Sequence, residues 1–280
     1  MTYRTILVHV DKAANAAERI KLAAGLAEQE QAHLVGAAMT GVPRYMYSGS
    51  MFEGSGVIIS DYLRFASKRA DESLALFGEV TARFGARNTE QRRREEDEYS
   101  GLCLQARYAD LVVLGQGNPD DRDAGGLLHD LPEYVAINSG RPILVVPYAG
   151  EFPTVGIRPL VAWNGSLQAA RAVTAALPLL RRAGKVTVAI FDPRSGDEAH
   201  GEEPGADIAL YLARHGVSVE VTVRPGPLDI GNDILSLAAD LNSDLLVMGC
   251  YGHSRFHELM LGGATRTILA TMTLPVLLAH

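Results

Sequence analysis

The residues in this chain with the clearest chemical purpose are glycines. Gly249 and Gly252 follow a short apolar run, Leu245–Leu246–Val247, while Gly262 and Gly263 precede a helical pattern over Thr265–Thr271. A glycine at the carboxyl end of a strand lets the backbone turn sharply, with no Cβ in the way. Glycines at a helix start leave bare N–H groups at the positive end of the helix dipole, aimed at an anion. The spacing Gly249–x2–Gly252–x9–Gly262 therefore points to a phosphate site, and through it to a nucleotide. The surrounding polar residues add less. His253 and His257 stand four apart but lack a third ligand at metal spacing. Arg255 and Arg266 read as surface cations, and Cys250 as a spacer between glycines.

No catalytic constellation accompanies the glycines. The chain has no Gly-x-Ser-x-Gly elbow, no Cys-x-x-Cys pair, no Gly-x4-Gly-Lys-Ser/Thr loop and no His-Glu-x-x-His run. No lysine lies within the glycine motif to stabilise a phosphoryl group in transfer. A nucleotide held this way is a signal or a structural ligand rather than a rapidly consumed substrate.

The elements that must position the glycines come in two copies. Ala109–Asp110–Leu111–Val112–Val113–Leu114–Gly115 recurs as Ser243–Asp244–Leu245–Leu246–Val247–Met248–Gly249. Each is followed by a helical pattern and a proline-led strand, Arg141–Val146 and Leu274–Leu278. Each half also opens on an apolar run (Ile6–Val10, Leu160–Trp163) that leads into an Ala-rich amphipathic stretch, Ala13–Glu30 or Leu167–Arg182. In the second copy, strands are expected near Leu160–Trp163, Lys185–Phe191, Val217–Val223, Leu245–Met248 and Val276–Ala279. Helices are expected over Ser166–Arg182, Ala206–His215, Ile230–Leu241 and Gly263–Thr271. Unbroken apolar runs mean strands buried on both faces, hence a parallel sheet covered by helices. The expected fold is α/β: two tandem, doubly wound, five-stranded parallel sheets of Rossmann-like kind, over residues 1–149 and 155–280. A short linker near Pro147–Thr154 separates them. An insertion at Gly41–Val57, rich in Gly, Ser, Tyr and Met, precedes a long helical pattern over Ile58–Phe84 and reads equally as a lid or as a plain connection.

Composition narrows the partners. The net charge of −7 and the lack of a sustained basic face argue against nucleic acid. Arg92–Arg93–Arg94 runs straight into Glu95–Glu96–Asp97–Glu98 and reads as a solvated strand-to-helix turn with its field cancelled locally. No run reaches the roughly 18 apolar residues of a membrane span. Two cysteines and a strand beginning at Thr5, with no signal peptide ahead of it, point to a reducing cytoplasm.

On these motifs the chain resembles the universal stress protein family. The glycine spacing after its strand looks like that family's ATP-binding signature, and two tandem copies are a common arrangement there. The resemblance implies roles residue by residue. Gly249 and Gly252 would lie under ribose and phosphates, with Met248 flanking the ribose and His253 beside the phosphates. Gly262, Gly263, Ala264 and Thr265 would cradle the phosphates. Ala162, Trp163 and Asn164 would line the adenosine, and backbone around Ile190 would meet the adenine edge. The ligand implied is ATP, with ADP and AMP as alternatives, accompanied by Mg²⁺. The family's usual Ser or Thr after the third glycine is Gly263 here, so Thr265 would have to supply the hydroxyl. Its usual acidic residue after the first strand is Asn164 in this copy, though Asp11 keeps it in the other. Asn still accepts a hydrogen bond from ribose but without the charge of a carboxylate.

The first copy departs further. Gly115–Gln116–Gly117–Asn118 lacks the second glycine at the right spacing, and Asp120, Asp121 and Asp123 would repel phosphate. The chain is thus expected to bind nucleotide in its C-terminal half and to act as a stress-response regulatory module, with the N-terminal half a structural or regulatory partner. Pairing through the 142–146 and 275–279 strands, within the chain or between chains of a homodimer, would join the parts. The competing expectation is a slow ATPase or nucleotidyl-transfer enzyme of the related adenine-nucleotide α/β group.

Overall fold

The computed structural model describes residues 2–42, 55–118, 130–193, 203–225, 229–251 and 263–280, with backbone alone for 55–58. Gly252, His253 and Gly262, the carboxylates at 120–123 and most of the 41–57 insertion lie outside the described residues.

Strands and helices alternate within each half, as the apolar runs require. The first half has β1 (Thr5–His9), α1 (Ala16–Glu30), β2 (His33–Met39), α2 (Ser55–Phe84), β3 (Thr89–Arg94), α3 (Glu98–Ala106), β4 (Leu111–Gly115), α4 (Leu131–Asn138) and β5 (Ile143–Val146). The second has β6 (Pro159–Ala162), α5 (Leu167–Leu180), β7 (Val186–Phe191), α6 (Ala206–Arg214), β8 (Val219–Arg224), α7 (Ile230–Asp240), β9 (Leu245–Gly249), α8 (Gly263–Thr271) and β10 (Val276–Ala279). Three helices, α3, α5 and α7, start where a side chain satisfies their first amides. Asp97 accepts from Tyr99 N and Ser100 N, Ser166 from Ala169 N, and Asp229 from Asn232 N.

Two compact units form, Tyr3–Arg141 and a second containing Pro142–His280. In the first, parallel strands run in the order β3-β2-β1-β4. In the second, the parallel order is β8-β7-β6-β9-β10. The fold is α/β and doubly wound. The first unit closes at Arg141, and the second takes in the strand that follows it. That strand is β5, which pairs antiparallel with β10 (Val145 opposite Val276, Ile143 opposite Leu278) and so groups with the second unit. Of the two pairings expected for these strands, this is the one within the chain.

Burial follows strand position. The residues of β4 from Leu111 to Leu114 and of β9 from Leu245 to Met248 are buried, whereas β3 and β8, outermost in their units, are half-exposed. The arginine run is part of β3 rather than a turn. Glu90 meets Arg92 at 2.6 Å and Asp71 meets Arg93 at 2.8 Å.

The duplicated Asp-Leu pair does the same work twice. The Asp110 carboxylate accepts from Arg4 N (2.7 Å) and Thr5 N (2.9 Å), at the entry of β1. The Asp244 carboxylate accepts from Ile157 N (2.9 Å) and Arg158 N (2.8 Å), just ahead of β6. Each aspartate pins the start of its central strand to the strand beside it. Removing an acceptor from two amides typically costs about 1–3 kcal/mol. Asp244→Ala is therefore expected to lower the unfolding free energy by that amount, seen as a lower urea midpoint; an unchanged midpoint would show that the clamp carries no stability.

Candidate functional site

In each unit the chain winds away in opposite directions from one central strand. β1 lies between β2 and β4, and β6 between β7 and β9. Ligands of doubly wound sheets sit outside the carboxyl ends of the strands at this point. In the second unit those ends are Ala162, in register with Met248, and the residues that follow them.

Gly249 ends β9 directly against the start of α5. A Cβ there would lie 2.5 Å from Ala169 N and 2.6 Å from Gln168 C, so no other residue fits without moving helix backbone. Its φ is not in the left-handed region; that conformation belongs to Tyr251, at φ 53°. The expected role of Gly249 as a turning residue is thus corrected. It permits close approach, while Tyr251 turns the chain, at a cost of about 1–2 kcal/mol for a non-glycine residue. Cys250 is fully buried and donates its N–H to Ala279 O.

At the end of β6, Ala162 and Trp163 are half-buried and Asn164 is exposed. Trp163 N–H donates to Ala189 O at 2.9 Å. Asn164 Oδ1 accepts from Ser166 N (3.2 Å) and Ser166 Oγ (2.7 Å), shaping the turn that starts α5. Its oxygen is already engaged, so the group it offers a ribose is the Nδ2 amide, a donor rather than the expected acceptor. Asp11 does the equivalent job in the first unit, accepting from Ala13 N at 2.9 Å. At the end of β7, the alternation of a parallel ladder turns the backbone of Ile190 toward β8 and that of Phe191 toward β6. Phe191, not Ile190, presents main-chain groups beside Trp163; Ile190 contributes a fully buried side chain.

Three of the expected phosphate residues open α8. Gly263 is exposed, and a Cβ built on it meets no atom of the described residues within 4 Å. Ala264 is half-buried and Thr265 buried. Met248, at the end of β9, is buried as well. The described site residues therefore gather around the carboxyl ends of β6, β7 and β9 and the amino end of α8.

In the first unit a cation is lodged beneath Gly115, the counterpart of Gly249. Arg19, only 1% exposed, reaches across from α1, and its Nη1 would lie 2.1 Å from a Cβ on Gly115. Its Nη2 donates to Asp11 Oδ1 at 2.6 Å, and His9 Nδ1 stands 3.4 Å from Asp11 Oδ2. Arg19 Nε is a buried nitrogen with no hydrogen-bond partner among the described residues. Nothing in the residue spacing announced this cation; a lone arginine on the Ala-rich face of an amphipathic helix was its only trace.

The cluster has consequences for titration. Burial pushes the His9 pKa down to about 4, with Asp11 opposing and Arg19 and Arg69 adding to the depression. Burial would raise Asp11, but the Arg19 guanidinium, His9 and hydrogen bonds from Arg19 and Ala13 N overcome it and hold it at about 2. An unfolded histidine takes its proton near pH 6.5, so the native state binds fewer protons between pH 6.5 and 4, and stability falls as the pH drops through that window. The Asp11 contribution is present above the unfolded value of 3.8 and fades toward pH 2. His9→Gln is therefore expected to flatten the stability curve between pH 6.5 and 4, by about 3 kcal/mol at most. Urea unfolding at stepped pH measures it; identical slopes in variant and wild type would contradict it.

With the fold and site in hand, relatives are informative. Residues 158–280 match the profile of the Universal stress protein family. Universal stress protein Slr1230 from Synechocystis sp. (strain PCC 6803) is 28% identical over 170 residues, 60% of this chain and 57% of that protein. The match thus spans little more than half of the relative. Among solved structures, a universal stress protein from Archaeoglobus fulgidus DSM 4304 superposes with a TM-score of 0.75 at 16% identity, covering 98% of this chain and 95% of that one. A functionally unknown protein, PA1789 from Pseudomonas aeruginosa PAO1, gives 0.60 at 16% identity, covering 99% and 92%. These likenesses share a fold: a doubly wound α/β protein of tandem halves. Residues 158–280 are a universal stress protein domain.

Proposed function

We propose that the second unit binds an adenine nucleotide, ATP in the first instance, and that the chain acts as a nucleotide-dependent regulatory module of the stress response. The observation that carries this reading is Gly263. A glycine crowded by protein, such as Gly249, has a structural reason to be glycine. Among the described residues nothing stands within 4 Å of a Cβ built on Gly263, at the amino end of a helix. Bare amides at a helix start favour an anion, which is the support for this reading.

In this reading the phosphates meet the amides of Gly262, Gly263, Ala264 and Thr265, with Gly252 and His253 beside them. The ribose lies against Met248 and Gly249, and adenosine against Ala162, Trp163 and the Asn164 amide. Phe191 supplies the backbone at the adenine edge. Among the described residues no three His, Cys, Asp or Glu gather as a metal site. Mg²⁺ would therefore enter with the phosphates and neutralise part of their charge. The first unit, with Arg19 beneath Gly115, serves as partner rather than as a second nucleotide site. Cys103 and Cys250 are both buried thiols, and burial pushes Cys103 up to about 11, which suits a reducing cytoplasm. No helix among the described residues is long and apolar enough to cross a membrane.

Calorimetric titration with ATP, ADP and AMP, followed by a phosphate-release assay, tests the proposal. The expected result is binding with turnover slower than about once per minute. Faster release would instead identify an ATPase, and no heat with any of the three would defeat the nucleotide reading.

A further inference from the structure

The outermost strand of the second unit, β8, bonds to β7 along one side, and no described strand lies on its other side. Ser218 O accepts from Val186 N, and Arg224 O from Asp192 N, so the even-numbered residues turn their backbone toward β7. The N–H and C=O groups of Val219, Val221 and Val223 therefore face outward. Val221 is 36% exposed and Val223 50%. The outermost strand of the first unit is guarded differently. In β3, Asn88 O and Arg94 O accept from Leu34 N and Thr40 N, which leaves Arg93 among the residues with outward backbone. Its guanidinium is braced from α2 by Asp71 at 2.8 Å and by Ser67 at 2.7 Å. Charge at an edge discourages pairing, whereas alternating valines with open amides are a template for it.

The charges between the valines say which strand fits. Glu220 is held by Lys185 at 2.5 Å and by Thr187 at 2.9 Å, and its carboxylate has room for a further donor. Arg224 is exposed and closes no ion pair among the described residues. We propose that β8 pairs antiparallel with β8 of a second copy of this chain, in the register that sets Thr222 opposite Thr222. Val221 of each copy then exchanges backbone hydrogen bonds with Val223 of the other. Glu220 of each stands opposite Arg224 of the other, at the position where cross-strand side chains come closest. Pairing centred on Val221 would instead set Arg224 opposite Ser218 and forgo both ion pairs. The antiparallel bonds of β5 and β10 are made within the chain, so pairing between copies falls to another edge. The β8 interface uses the same patch twice and closes at a dimer. It does not depend on the nucleotide reading.

Analytical ultracentrifugation of the full chain, from about 5 to 500 µM, tests it. A monomer–dimer equilibrium is expected, with a dissociation constant of about 1–100 µM, because edge pairing makes a small interface. Val223→Pro removes an outward N–H and leaves the bonds to β7 intact, so the variant should stay monomeric. Arg224→Glu and Glu220→Arg should each weaken self-association at least about tenfold, since like charges then stand opposite one another. Mixing those two variants should bring the dimer back, because every charge again meets its opposite. Circular dichroism checks folding, and the mixing experiment decides if Val223→Pro does not fold. A wild-type chain that stays monomeric, growth beyond a dimer, a dimer that persists in folded Val223→Pro, or no recovery in the mixture would each overturn the proposal.

Discussion

Gly263→Val should abolish ATP binding while leaving the melting temperature within about 2 °C of the parent. The stability half follows from the space around the residue. A Cβ at Gly263 meets none of the described residues within 4 Å, and an exposed substitution of this kind usually stays within about 0.5 kcal/mol. The binding half follows from what that space is for. A branched side chain at the start of α8 would stand where a phosphate must approach the amides, and a loss of at least about a hundredfold, near 2.7 kcal/mol, is expected. Gly249→Val provides the contrast. Its Cβ would fall 2.5 Å from Ala169 N, so α5 must shift and stability must fall with affinity, by about 1–3 kcal/mol for overpacking. Two glycines of one motif thus separate a ligand requirement from a packing requirement.

The second large effect is expected at Arg19. This side chain is 1% exposed, and among the described residues its anionic partner is Asp11. Breaking a buried pair from one side strands the other charge, at about 3–5 kcal/mol. Arg19→Met should therefore lower stability by that order, and Asp11→Asn by a similar amount, because either leaves a charge uncompensated. The double variant should cost clearly less than the two single changes added together, since neither charge remains. Urea unfolding of the four proteins completes the cycle. Strict additivity would show that the pair is not coupled.

How far the chain could be read without coordinates depended on whether a feature was periodic or three-dimensional. Unbroken apolar runs such as Leu111–Leu114 and Leu245–Met248 marked the central strands because burial on both faces leaves no polar alternation. The half-exposed edge strand Thr89–Arg94 was hidden for the opposite reason: its polar residues look like a turn until their partners Glu90 and Asp71 are seen. The duplicated Asp110 and Asp244 were visible as a repeat, but their grip on backbone amides more than 80 residues away along the chain was not.

The glycine motif was legible as a pattern, while the division of labour within it was not. Close approach at Gly249, the turn at Tyr251 and open space at Gly263 depend on what α5 and the sheet bring nearby. The same holds for Ile190 and Phe191, where one residue of ladder parity decides which backbone faces β6. In the first unit the altered spacing around Gly117 hinted at a changed site. Arg19 gives that change a physical form, a guanidinium lodged beneath Gly115 and paired with Asp11.

The most direct test of the central claim is a calorimetric titration of the full chain with ATP in parallel with its Gly263→Val and Gly117→Val variants. One site per chain is predicted, lost in Gly263→Val and retained at unchanged affinity in Gly117→Val. Undiminished binding by a folded Gly263→Val protein, or loss confined to Gly117→Val, would contradict a nucleotide site in the second unit.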